Sequence, residues 1–174
     1  MCSCASEAST SFVEGVFLPD LGLGTGIAIW GFRACVSGHS QCPPITKGFD
    51  RVFGDRGPEA LADVLQLARI FGFEGRRTIS IALPGCGRMT ADELSMAAML
   101  AAAQQGADDE RDNHATWLLG QRPRAHVCDV VERIAETFGE YDLAMAKPDV
   151  TITCNRTLDD GHMTALFALE GGRA

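Results

Sequence analysis

Residues 90–105 read TADELSMAAMLAAAQQ, and this stretch decides the fold. Thr90 with Glu93 three residues later is a capping box. The hydroxyl accepts from the backbone N–H of residue 93 and the carboxylate accepts from that of residue 90, so two donors orphaned at a helix start are satisfied. Behind the cap, Ala91 to Gln105 is apolar on nearly every face. A helix with no polar side belongs in the middle of other elements, not on a surface. Its methionines, Met96 and Met99, read as core filler.

Upstream, TISIAL (78–83) is short, β-branched and apolar, which predicts a strand, and Pro84-Gly85-Cys86-Gly87 breaks it. Before it, Pro58 opens a helix whose apolar stripe is Leu61, Val64, Leu65, Ala68 and Phe71, with Asp63, Gln66 and Arg69 facing out. Pro43-Pro44 opens another, with Ile45, Phe49, Val52 and Phe53 on one face and Gly54 as its stop. Ile27 to Ser37 reads as a short helix closed by Gly38. Residues 13–26 contain LGLGTG, but Pro19-Asp20 interrupts the strand that a phosphate-cradling glycine loop requires, so they read as loop. Residues 1–12 read as a flexible tail.

Downstream, a polar stretch from Gly106 to Asp112 leads into a short helix ending near Gly120. Pro123 starts a long helix with Val127, Val130, Val131, Ile134 and Phe138 as its core stripe, and Asp129, Glu132, Arg133 and Glu136 as its solvated face. Alternation around Ile152 and Phe167, with Asp160-Gly161 as the turn, predicts a β-hairpin over 150–169 that pairs with the 78–83 strand. Residues 171–174 are tail. The expected fold is α+β and mainly α: a helical bundle around a central buried helix with a small sheet, in one globular domain over 13–170.

The 174 residues are 46% hydrophobic and 22% charged, the balance of a water-soluble globular chain. Net charge is −8, and an acidic surface repels the phosphates that nucleic-acid binding must neutralise. No nucleic acid and no membrane are therefore expected as partners. The first basic residue is Arg33, so no basic leader precedes an apolar segment and a cytoplasmic location is expected. Seven cysteines in that reducing setting do not predict a disulfide framework.

Two constellations could carry chemistry. Cys35-x3-His39-x2-Cys42 spans a helix end, a corner and the next helix start, and Cys86 could be a fourth ligand. Thiolate and imidazole suit zinc or another thiolate-loving metal. The paired knuckle of zinc modules is missing, and buried cysteines often only fill space, so a structural role stands beside the metal one. The second is Leu83 to Thr90, where Gly85, Gly87 and Arg88 could cradle an anion or cofactor beside a helix N-terminus. The same setting could activate Cys86 as a nucleophilic or redox thiol.

Between Trp30 and Gly120 the chain resembles a group of short, uncharacterised bacterial proteins of unknown function. The similar segments are CPPITKGFDRVFG (42–54), ADVLQLARIFG (62–72), TISIALPGCGRMTADEL (78–94), LAAAQ (100–104) and WLLG (117–120). The resemblance implies an α-rich fold with Cys86 in a shared loop, and it brings no reaction, cofactor or partner. No nucleophile, base and orienter assemble in the sequence. The expectation is a small non-catalytic accessory or regulatory protein with a protein partner, with or without bound metal. The alternative is a thiol-dependent enzyme at Cys86.

Overall fold

The computed structural model describes residues 12–148 and two further strands, 151–155 and 166–170. It is mainly helical with small antiparallel sheets, an α+β architecture. In order come β1 (Phe12–Phe17), α1 (Gly22–Val36), α2 (Pro43–Phe53), α3 (Gly57–Glu74), β2 (Arg88–Thr90), α4 (Ala91–Gln104), α5 (Asp108–Leu119), α6 (Ala125–Glu140), β3 (Thr151–Asn155) and β4 (Leu166–Glu170). Cys2, Cys4 and the Asp160-Gly161 turn lie outside the described residues.

α4 is the expected central helix. Every residue from Asp92 to Ala102 is buried, and the helix packs against α1, α5 and α6. The capping box forms as read, with Glu93 N donating to Thr90 Oγ1 at 3.1 Å and Thr90 N to Glu93 Oε2 at 2.9 Å. α3 packs on α1, α2 and α6. The aromatic core runs from Phe49 through Phe53, 5.7 Å apart, to Phe138, 4.8 Å further. Gly38, at φ +75°, ends α1 as expected: its N–H donates to Cys35 O, and His39 N donates to Ala34 O at 2.7 Å. These two bonds are a Schellman closure, which satisfies carbonyls the helix end leaves open.

Three expectations fail. Residues 78–83 are not a strand. Their backbone groups bond to side chains instead of a neighbouring ladder: Ser80 N donates to Asp92 Oδ2, Ala82 N to Glu93 Oε1, and Ser80 O accepts from Thr90 Oγ1. Once the first turn of α4 has met the segment's polar groups, it needs no strand partner. The C-terminal hairpin exists, with Thr151 opposite Glu170 and Asn155 opposite Leu166, but β3 pairs with β4 alone and not with 78–83. Residues 13–26 are not loop: β1 pairs antiparallel with β2, and α1 begins at Gly22. A Cβ on Gly24 would stand 2.6 Å from Ala144 O, so this glycine serves close packing of the chain after α6.

Candidate functional site

Arg33, in the last turn of α1, is the largest fully buried side chain. Its guanidinium donates to both carboxylate oxygens of Glu93, at 2.6 and 2.8 Å, to Arg88 O at 2.8 Å and to Cys86 O. Arg77 Nη2 donates to Asp92, and its guanidinium lies 4.4 Å over the Trp117 ring. One arginine from α1 and two carboxylates from α4 thus clasp the whole 77–90 segment to the bundle. From sequence Glu93 reads as a capping-box residue and nothing more. The long-range partners of the two carboxylates have no signature in local spacing.

The clasp also settles what the Gly85–Arg88 loop presents. The carbonyls of Cys86 and Arg88 converge on Arg33, and Gly87 O accepts from Leu18 N at 2.8 Å. At the α4 N-terminus the backbone N–H of Glu93 is already taken by Thr90 Oγ1 and that of Thr90 by Glu93 Oε2, so these donors are not offered to an anion. A Cβ on Gly85 or Gly87 would meet nothing within 4 Å, so neither glycine is required by close packing within the protein. Arg88 stacks its guanidinium 4.5 Å over the Phe12 ring. The three residues are not brought together into an anion cradle.

The four residues nominated for metal are dispersed in role. Cys35 is buried in α1, His39 is exposed in the corner, Cys42 precedes α2 with its carbonyl taken by Ile45 N and Thr46 N, and Cys86 is half-buried in the turn that Leu83 O closes. Among the described residues no three His, Cys, Asp or Glu side chains are grouped to hold a metal ion. Burial pushes the Cys35 thiol up to about 11 against the pull of Arg69, so it is protonated at neutral pH.

Cys35 instead helps floor an open groove of about 570 Å³. Its walls are the end of α1, the outer face of α3 and the segment after Gly75. Phe32, Phe71, Leu65 and Ala68 make it apolar, and Val36, half exposed, stands at its edge. Leu65 and Ala68 belong to the α3 stripe expected in the core, but Leu67 and Ile70 fill the core while Leu65 and Ala68 stay only half-buried. The helix carries more apolar face than its neighbours cover. The exposed side chains of Arg69 and Arg76 line the same groove, and backbone pairing of Arg76 N with Leu119 O, at 2.7 Å, fixes that wall.

A serine–histidine contact lies elsewhere. Ser95 Oγ is 3.0 Å from His114 Nδ1, and His114 Nε2 is 3.9 Å from Glu110. The residue types suggest a triad, but Ser95 is 1% exposed in the middle of α4, so no substrate carbonyl can reach its hydroxyl. The contact instead joins α4 to α5. Among the described residues no helix is long and apolar enough to cross a membrane.

Comparison of the chain with protein-family models, with curated proteins and with solved structures returns no match.

Proposed function

We propose that this chain is a small, non-catalytic binding protein of the cytoplasm, an accessory or regulatory module that works by holding a ligand in the α1–α3 groove. The observation that carries the reading is the groove itself. Its volume falls in the range of about 300–1,000 Å³ usual for small-molecule sites, and its lining is mostly apolar with a few polar groups. The thiol-enzyme alternative has less support. Cys86 makes its hydrogen bonds through its backbone, to Leu83 and Arg33, and among the described residues no histidine bonds to it.

A neutral, solvent-sensitive dye such as Nile red tests the reading. Saturable one-to-one binding by the full chain, abolished in an Ala68→Glu variant that keeps its circular dichroism, is the expected result. Absence of saturable binding, or binding that survives Ala68→Glu, removes the groove as the working surface.

A further inference from the structure

The groove combines an uncharged floor with a cationic rim. Cys35 contributes a protonated thiol, and Phe32, Leu65, Ala68 and Phe71 contribute hydrocarbon. A ligand buried against that floor gains by losing water from apolar surface, whereas a hydroxyl or amide placed there would lose its hydrogen bonds to water without replacement. The floor therefore favours unsubstituted hydrocarbon.

The rim specifies the other end. The chain carries a net charge of −8, and six of its eleven described arginines, Arg33, Arg56, Arg77, Arg111, Arg124 and Arg133, form ion pairs. Arg51, Arg69, Arg76, Arg88 and Arg122 form none among the described residues, and of these five only Arg69 and Arg76 line the groove. Guanidinium groups present planar pairs of donors that match a carboxylate. We propose that the groove binds an aliphatic carboxylate of medium chain length, with its tail on Leu65, Ala68 and Phe71 and its head group at Arg69 and Arg76. This rests on the binding reading above and names its ligand class.

The test is displacement of Nile red from the full chain by hexanoate, octanoate and decanoate, each below its micellar concentration, with decanol and decyltrimethylammonium as comparisons. Affinity is expected to tighten about three- to fourfold per added methylene until the groove is filled. Decanoate should bind roughly tenfold or more tightly than decanol, the contribution of charge-assisted hydrogen bonds. An Arg69→Gln/Arg76→Gln variant should lose that preference, its affinity for decanoate falling to or below that for decanol. Both arginines are exposed, so the variant is expected to fold. If the dye binds but decanoate neither displaces it nor outbinds decanol, the carboxylate assignment is overturned and the groove reading stands. If the dye itself does not bind, both fall.

Discussion

Arg33 and Glu93 form a two-pronged ion pair, at 2.6 and 2.8 Å, between side chains that are 0% and 1% exposed. Sixty residues apart in sequence, they are the point at which α1, α4 and the 77–90 segment meet. Glu93 also accepts from Ala82 N and Thr90 N, and Arg33 also serves the carbonyls of Cys86 and Arg88. Removing one partner leaves a buried charge uncompensated, which costs about 3–5 kcal/mol. Arg33→Met is therefore expected to lower the unfolding free energy by that much, read as a fall in urea midpoint at unchanged slope. Arg33→Met/Glu93→Gln should lose less than the sum of the two single variants, and a double-mutant cycle measures the coupling. A loss below about 1 kcal/mol for Arg33→Met would mean that the clasp does not hold the segment.

Two glycines of α1 should respond to alanine with opposite signs. A Cβ on Gly31 would stand 2.6 Å from Cζ of Phe49, a ring that is 0% exposed and stacked on Phe53. A Cβ on Gly26 would meet nothing within 4 Å. Gly31→Ala is expected to destabilise by about 1–3 kcal/mol through overpacking, despite alanine's better helix propensity. Gly26→Ala should stabilise by roughly 0.5–1 kcal/mol. Thermal unfolding of the two variants side by side checks both, and equal shifts would contradict the close α1–α2 contact.

What could be read from sequence follows from how local each determinant is. The α4 capping box, the Pro43 and Pro58 helix starts and the Gly38 closure depend on residues within one or two turns, and all four are present. TISIAL has the composition of a strand, but a strand also needs a partner. Here Asp92, Glu93 and Thr90, distant by 10 to 12 residues, take that partner's place. β1 was hidden by the glycines and Pro19 around it, because it pairs with a three-residue strand more than seventy positions away. The groove left one local trace: a five-residue apolar stripe on α3 wider than the surface α1, α2 and α6 cover. Arg69 read as ordinary solvated charge, since its missing carboxylate partner is a property of the folded arrangement alone.

Burial of Cys35 sets its reactivity. A rise from 9.0 to about 11 removes thiolate by about a hundredfold at pH 8, and only the thiolate attacks. Iodoacetamide is expected to label Cys35 at least that much more slowly in the native chain than in urea, as read by mass spectrometry. The same shift bears on stability. An acid whose folded value is raised contributes stability below its unfolded value, and that contribution is lost as pH rises from about 9 through 11. Cys35→Ala should therefore flatten the alkaline limb of a stability profile. Native labelling as fast as in urea would place the thiol in open solvent and contradict the closed floor of the groove.

His114 should govern the acid limb. Burial between α4 and α5 lowers its basicity below the ordinary 6.5, Glu110 opposes this, and Lys147 adds to the lowering. The folded chain thus resists a proton that the unfolded chain accepts. The stability contribution is complete above about pH 6.5 and is lost as pH falls from there through the lower folded value. Lys147 also pairs with Glu110 at 2.5 Å, which ties up the carboxylate that would otherwise favour the imidazolium. His114→Gln, which keeps a hydrogen-bonding partner for Ser95, is expected to flatten the decline in urea midpoint between pH 7 and pH 5. Lys147→Gln should make it shallower by freeing Glu110 to receive the protonated ring. The two variants separate the roles, because only the histidine change removes the titrating group. If His114→Gln follows the unsubstituted chain at every pH, the acid limb belongs to carboxylates, and the Ser95–His114 contact is packing without a protonation role.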